Sequence, residues 1–413
     1  MHVLYIHQYF TTREGAGGTR SYEMARALIA RGHRVTMVCG SAGRSVTGLD
    51  GAFTRGRRAG TVDGIDIVEF DLAYSNRDSI PTRAVKFATF ALRSMSLAVK
   101  GDHDLVFATS TPLTAALPGI ASRWLAGKPF VFEVRDLWPE LPRAMGMRNP
   151  LALGAMHVLE WLGYRSATRT IALAPGIADG IARLGVPRAR IDLIPNGCDF
   201  DFFAGIAPVP PHAVAPDRIA VGDLVAVFAG AHGRANGLDA VLNAAEALKR
   251  HGRAGIKLLL VGEGSEKPRL QQSAEARGLD NVVFLDAMPK TRAAGLLKGA
   301  DVGLQILADI PAFYRGTSPN KFFDYLAAGR PVLINYPGWL ADLVGQAGCG
   351  FAVPPRNAEV FAQALIQAAD DRGRLAEMGR KAAALGARDF DRSRLAATFV
   401  ASLETALSPQ PRR

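Results

Sequence analysis

The residues best suited to chemistry lie in Tyr314-Arg315-Gly316-Thr317-Ser318-Pro319-Asn320-Lys321-Phe322-Phe323-Asp324-Tyr325-Leu326-Ala327-Ala328-Gly329. Ser318 reads as a helix N-cap, Pro319 as the first helical residue and Gly329 as the glycine that closes the helix. Such a helix presents unpaired N–H groups around Thr317, Ser318 and Asn320, with Arg315 and Lys321 beside them. That combination suits a diphosphate. Asp324 falls one turn inside, where it can accept a hydrogen bond from a ribose or sugar hydroxyl. The plainer alternative is an ordinary capped helix with a surface lysine.

Two glycine-rich turns repeat the theme. After the first apolar run, Gln8-Tyr9-Phe10 leads into Glu14-Gly15-Ala16-Gly17-Gly18 and then a helical stretch. Gly17 and Gly18 let the backbone approach a ligand, and the helix start favours an anion; a tight turn with no ligand is the alternative. Arg20 stands three residues after Gly17, so the spacing is not G-x-G-x-x-G and a dinucleotide cofactor loses support. The second turn runs from Phe228 through Gly230, Ala231, His232 and Gly233 to Arg234 and Gly237. Arg234 is either a fixed cation for a phosphate or a solvated surface arginine. In Phe132-Glu133-Val134-Arg135-Asp136-Leu137-Trp138-Pro139-Glu140 a strand delivers three carboxylates and an arginine into a loop. Ligands bind at such strand ends in open α/β sheets, although a structural salt-bridge cluster has the same composition. Asn196-Gly197-Cys198-Asp199 reads as a structural turn.

Other chemistry is missing. There is no Walker loop, H-E-x-x-H, C-x-x-C or G-x-S-x-G elbow. Asp102-His103-Asp104 has D-x-D spacing, but it precedes its strand, and no metal is expected there. Cys39, Cys198 and Cys349 are odd in number and scattered, which suits a reducing cytoplasm. The chain of 413 residues is 48% hydrophobic, which implies two or three globular domains and excludes disordered, collagen-like and disulfide-scaffold classes. Its net charge of +11 is shared almost evenly between the two halves, so nothing resembles a nucleic-acid-binding arm. No uncharged apolar run reaches the roughly 18 residues of a membrane span. Residues 1–9 read directly as a buried strand, without the features of a signal peptide. In Pro81–Lys100, the basic residues Arg83, Lys86, Arg93 and Lys100 interleave with Phe87, Phe90, Leu92, Met95 and Leu97. This segment is either a helix lying on an anionic bilayer or an ordinary helix on a domain surface.

These residues need a frame, and short apolar runs alternating with helical stretches supply it. Strands are expected at 2–7, 34–40, 65–70, 105–110, 130–134, 170–174 and 191–194, most of them continuous apolar runs as in parallel strands covered on both faces. The pattern breaks in the Pro- and Ala-rich stretch after Gly205 and restarts at Leu224. Further strands are expected at 224–229, 257–261, 282–285, 302–307 and 331–335. The grammar is repeated βαβ and predicts two Rossmann-like, doubly wound parallel-sheet domains facing each other across a cleft. The expected division is 1–205, a linker at 206–222, a second domain at 223–387, and a helix and frayed tail at 388–413 packing back toward the first domain.

Over about 390 residues, the order of GGTRSYEMARALIARGHRV, VRDLWPE, IPNGCD, AGAHGRANGLD, LLLVGEG and NKFFDYLAAGRPVL resembles glycosyltransferase family 4, retaining enzymes of the GT-B fold. VRDLWPE and AGAHGRANGLD resemble the branch that builds bacterial O-antigens and exopolysaccharides, including N-acetyl-L-fucosamine transferases. The resemblance implies metal-independent transfer, with no cofactor, from a nucleotide diphosphate sugar, often a UDP-sugar, to a polyprenyl-diphosphate-linked saccharide. It implies work in the cytoplasm at the inner face of the membrane. It places Gly17 and Gly18 near the donor diphosphate and the acceptor, Glu263 and Gly264 near the nucleotide, and Ala287 and Met288 at the base. Asp324 takes the place of the second glutamate of the Glu-(seven residues)-Glu motif, which holds the ribose. Arg135 and Asp136 fall near an acceptor-side or catalytic polar group, with Glu140 just beyond. Three positions depart from the pattern: the first glutamate is Gly316, and the usual Arg and Lys of the second glycine-rich turn are Ala231 and Asn236. Arg234 and Lys321 are the candidates to restore that charge. A sugar-nucleotide 2-epimerase and an inert nucleotide-binding scaffold are the competing readings.

Overall fold

The structure, a computed structural model, describes residues 1–15, 17–42, 46–74 and 78–408. Ala16 of the first glycine turn and the tail PQPRR lie outside the described residues. The chain forms two compact units, one of Met1–Pro195, Arg315–Ser318 and the chain from Ser393, the other of Asn196–Tyr314 and Pro319–Arg392.

Among the described residues the first unit carries eight strands: β1 (His2–Ile6), β2 (Arg34–Ala42), β3 (Arg57–Val62), β4 (Ile65–Tyr74), β5 (Leu105–Thr109), β6 (Phe130–Val134), β7 (Arg169–Ala172) and β8 (Ile191–Leu193). Their order in the sheet is β3-β4-β2-β1-β5-β6-β7-β8. β1, β5 and β6 are apolar runs because helices cover both faces, and β5 and β6 are buried along their whole length. β3 is the departure from the expected parallel sheet. It pairs antiparallel with β4 through a turn in which Asp63 (φ 51°) and Gly64 (φ 80°) are both left-handed. Its sequence RRAGTV stays largely exposed at the sheet edge, so it carries no apolar run to betray a strand.

The second unit has β9 (Leu224–Ala229), β10 (Ile256–Val261), β11 (Val282–Leu285), β12 (Val302–Gln305), β13 (Val332–Ile334) and β14 (Gly350–Ala352), all parallel, in the order β11-β10-β9-β12-β13-β14. β14 is too short to read from the sequence. One core of Leu, Val, Ala and Phe, including Phe228, Leu242, Leu258 and Phe361, fills the space between this sheet and its helices.

The unit boundaries differ from those expected. Residues 196–205 go with the second unit because Cys198 N–H donates to Phe390 O (2.7 Å) and Arg392 N–H donates to Cys198 O (2.9 Å). Lys298 Nζ donates to Phe203 O (2.9 Å) and Ile206 O (2.6 Å). The stretch read as a linker is not a free tether. Val209 N–H donates to Gly295 O (2.8 Å), and a Cβ on Gly299 would stand 2.0 Å from Val209 O, so two glycines one helical turn apart admit the backbone. The last helix begins at Arg392 rather than Arg388, since a preceding helix, Arg372–Asp389, ends at Phe390. From Ser393 the chain belongs to the first unit. There Phe399 packs on Phe107 (5.0 Å) and Tyr5 (6.4 Å), and Ser402 donates to Asp192 (2.6 Å).

Candidate functional site

In the second unit the switch in strand order falls between β9 and β12, so the crevice beyond their carboxyl ends is where a ligand belongs. The turns after β9 and β10 are laced together there. His232 N–H donates to Glu263 O, and Glu266 N–H donates to His232 O, each at 2.9 Å. A Cβ on Gly262 would sit 1.9 Å from Gly230 O, and one on Gly264 would sit 2.2 Å from His232 O. Only glycine allows the two backbones so close.

Lys321 reaches these turns from the helix Asn320–Ala327, whose rotation is set by the buried Phe322, Phe323, Tyr325 and Leu326. The Tyr325 hydroxyl donates to Leu304 O (3.1 Å) and accepts from Ala229 N–H (3.3 Å), and Gly303 gives its ring room against β12. The Lys321 amine donates to Asn236 Oδ1 (3.1 Å), and Asn236 is itself fixed by donating to Ala231 O (2.7 Å). The same amine stands 4.1 Å from the centre of the Phe228 ring. No acidic neighbour offsets its desolvation, and burial alone brings its pKa down to about 7. The residue as a whole keeps some solvent exposure.

The expected cap is corrected by the structure. Pro319, not Ser318, occupies the cap position, and no side chain caps the first turn. Pro319 takes the extended backbone of a cap residue (ψ 135°). Gly329 closes the helix as expected, in the left-handed region (φ 66°). Thr317 and Ser318 belong to the first unit.

The other donor-side candidates are distributed along the same edge. Arg234 is exposed on a short turn that Gly237 closes with φ 54°. Asp324 lies one turn beyond Lys321, with its Oδ1 buried, without a hydrogen bond and 3.8 Å from Lys290 Nζ. The Glu263 carboxylate is engaged by Lys267 (2.7 Å), which also binds Asp286 (2.6 Å). Exposed Ala287 and half-buried Met288 follow β11 in irregular chain. The structure therefore brings Gly230, Lys321, Asn236 and the Glu263–Gly264 turn together. Asp324 faces Lys290, and Arg234 faces solvent.

In the first unit Arg135 and Asp136 leave β6 at the carboxyl edge. The buried Glu133 binds Arg20 Nε (2.8 Å), Thr109 Oγ1 (2.8 Å) and Arg135 Nε (3.2 Å). Burial pushes its carboxyl up, but the two guanidiniums and Thr109 more than reverse this, and its pKa ends below the usual value. Arg135 also donates to Thr109 Oγ1 (2.8 Å) and Ser21 Oγ (3.2 Å), so its guanidinium is a fixed part of the scaffold. Asp136 accepts from Thr111 (3.1 Å), and burial raises its pKa. Glu140 is exposed, 3.5 Å from Arg183. Gly17 and Gly18 are exposed just before the helix Arg20–Ala30. At the end of β1, burial and then Arg135 depress the pKa of His7, and both amide atoms of Gln8 are buried without a hydrogen bond.

Two family descriptions match the chain one after the other: "Glycosyl transferase 4-like domain" over residues 15–197 and "Glycosyl transferases group 1" over residues 214–385. The chain is a glycosyltransferase. Its two parallel-sheet units are those of the GT-B fold. The D-inositol 3-phosphate glycosyltransferase of Nocardia farcinica is 24% identical over 92% of this transferase and 84% of its own chain. The putative colanic acid biosynthesis glycosyl transferase WcaI of Escherichia coli is 25% identical over 59% of this transferase and 61% of its own chain. The structure of Anabaena HepE in complex with UDP superposes with a TM-score of 0.68 at 17% identity, covering 98% and 100% of the two chains. At that identity the likeness speaks for the fold.

Sequence reasoning missed part of the candidate site. Arg20 stood out only as the residue that breaks a dinucleotide fingerprint, yet it donates to Pro195 O (2.7 Å), Ile194 O (2.9 Å) and Glu133. The available signal was the lone acid in the apolar run FVFEV, since a buried carboxylate requires a cation. Phe228 as the platform beneath Lys321, and Gln8 and His7 at the first edge, left no signal in the sequence.

Proposed function

We propose that this glycosyltransferase moves a sugar, with retention of configuration, from a UDP-sugar to a saccharide carried on polyprenyl diphosphate in bacterial surface-polysaccharide synthesis. Lys321 carries the reading. The family places a lysine at position 236, where this chain has Asn236, and the Lys321 amine stands within hydrogen-bond distance of that asparagine. A cation restored beside the Gly230 turn, without an acidic neighbour, is a site for a diphosphate. The HepE complex with UDP and the WcaI relative support the donor and the polysaccharide setting.

Breaking the anomeric bond leaves negative charge on the UDP leaving group. Lys321 and the uncapped first turn of the helix Asn320–Ala327 are oriented in advance to meet that charge, with Arg234 available from solvent. Asp324 would accept from a ribose hydroxyl, the Glu263–Gly264 turn would hold the nucleotide, and Ala287 and Met288 would face the base. On the first unit, Gly17, Gly18, Asp136 and Glu140 would serve the acceptor, with Arg135 holding their edge in place. The acceptor hydroxyl would enter on the face the leaving group vacates. The test is a panel of nucleotide sugars with polyprenyl-diphosphate-linked saccharides, read by mass spectrometry and anomeric NMR. A product of retained configuration is expected. Interconversion of donor without acceptor, or UDP binding with no transfer to any acceptor, would replace the reading.

A further inference from the structure

The first unit presents an apolar face that stays exposed among the described residues. The helix Pro150–Ser166 buries only Glu160, Gly163, Tyr164 and Ser166. Along its outer side Leu151 is 83% exposed, Val158 55%, Trp161 41% and Leu162 37%, with Gly154 and Ala155 exposed between them. A surface helix ordinarily turns charge to that side. At its carboxyl end the face continues onto Trp124 (71% exposed) and Leu125 (72%), the Trp124 indole donating to Ser166 Oγ (2.9 Å).

The charge carried by the segments that form this face is mostly positive. From Leu105 to Phe132 the chain has no carboxylate, and from Leu141 to Ala178 its only one is the buried Glu160. The same stretches hold Arg123, Lys128, Arg143, Arg148, Arg165 and Arg169, the last paired with Asp192 (2.6 Å). Arg165 lies over the Trp161 ring (5.4 Å). A pocket of about 400 Å³ opens beside Trp124, lined by Arg123, Trp124, Arg165, Ser166, Thr168 and Arg190. Burial, and then the crowding of Arg123, Arg165 and Arg169, depresses the pKa of Arg190.

We propose that this face docks on an anionic phospholipid bilayer, with the apolar stripe in the interface and a headgroup phosphate in the arginine pocket. Exposed aliphatic side chains, tryptophans at the rim and an excess of arginines are the chemistry of a peripheral membrane surface. Among the described residues no helix is long and apolar enough to cross a membrane, so the contact is one of lying on the bilayer. The same helix backs the acceptor-side loop: Glu160 Oε1 accepts from Trp138 N–H (3.0 Å) in the middle of Arg135–Glu140. Docking here would hold that loop near a lipid-linked acceptor, and to that extent the inference rests on the proposed function.

The helix Ile80–Lys100, where the basic and apolar interleaving had suggested a membrane contact, turns much of that pattern inward. Phe90, Ala91 and Ala98 are buried, Arg93 donates to Gly56 O (3.1 Å) and Lys86 binds Asp78 (2.8 Å). Its exposed apolar residues Val85 and Leu92 make the matched control.

The experiment is co-sedimentation of the full chain with phosphatidylcholine vesicles, with and without roughly one-third phosphatidylglycerol. It contains no donor or acceptor, so vesicle binding and transfer can fail separately. Wild type should bind the anionic vesicles about tenfold or more better than the neutral ones. Leu151→Glu/Val158→Glu should lower that binding by about tenfold or more while leaving the unfolding midpoint unchanged, since both positions face solvent. Arg123→Ala/Arg165→Ala should remove the preference for anionic lipid, and Val85→Glu/Leu92→Glu should bind like wild type. Wild type failing to bind anionic vesicles would overturn the proposal. So would Leu151→Glu/Val158→Glu binding within about twofold of wild type, or loss of binding in the Val85/Leu92 control instead. A wild-type dimer that Leu151→Glu/Val158→Glu turns into a monomer, without lipid binding, would assign the face to a second copy.

Discussion

Replacing Lys321 with methionine is the most direct test of the donor site, and the structure sets its size and pH dependence. With the amine's pKa brought to about 7, the free enzyme holds the ammonium in about nine-tenths of molecules at pH 6 and about one-tenth at pH 8. An arriving diphosphate favours the charged form and restores it. In wild type, kcat/KM for the donor should therefore fall about tenfold per pH unit above pH 7, while kcat at saturating donor stays flat across that limb. Lys321→Met should erase the limb and lower kcat by about 10²–10³, the range for removing a preorganised charge-stabilising donor. Stability gives an independent readout. Between about pH 7 and the lysine's unfolded value near 10.4 the unfolded chain binds more protons than the folded one, so stability from this group rises with pH through that window. Lys321→Met should accordingly gain most over wild type at pH 6 and least at pH 9, measured by denaturant unfolding. The assay is initial rates with varied donor across this pH range. A loss of less than about threefold in turnover, or an unchanged limb in the variant, would refute the leaving-group role.

Other substitutions probe the scaffold. Arg20→Leu leaves the buried Glu133 with Arg135 as its remaining cation, and destabilisation near the lower end of the 3–5 kcal/mol typical of a broken buried pair, about 3 kcal/mol, is expected in urea unfolding. Gly264→Ala would put a Cβ 2.2 Å from His232 O. It should cost about 1–3 kcal/mol of stability as the two turns are forced apart, and calorimetry should show weakened UDP binding; unchanged binding would detach this turn from the donor site. Burial pushes the Glu160 carboxyl up to about 7, so the stability it contributes is complete below its unfolded value near 4.3 and is lost as pH rises through about 7. Glu160→Gln should therefore match wild type in melting temperature at pH 4 and exceed it at pH 8, provided the amide oxygen keeps the Trp138 and Tyr164 hydrogen bonds.

The boundary between what was legible and what was not follows the range of the forces involved. Continuous apolar runs specify parallel strands locally, which is why β5, β6, β9 and β11 were readable to within a residue. β3 and β14 were not, because one is a polar edge strand and the other has three residues. The boundary at Pro195 could not be read either, since it is set by long-range hydrogen bonds from Cys198 and Lys298 rather than by composition. The glycines of the two turns were legible as glycines. That Gly262 and Gly264 exist to let one turn rest on another is a statement about two backbones meeting.

The sequence by itself determined the strand-and-helix grammar, the two units and the residues from which a phosphate site is made, because periodicity and turn chemistry act over a few residues. Only the tertiary structure decided what those residues do. It put the Lys321 amine against Asn236 and Phe228, where desolvation changes its acidity. It tied Arg135 into the Glu133 network, and it turned the helix Pro150–Ser166 so that its apolar side faces outward while Pro81–Lys100 turns much of its own inward. Each of these depends on which surfaces of distant segments are pressed together, and burial, the quantity that sets both charge and affinity, has no value until they are.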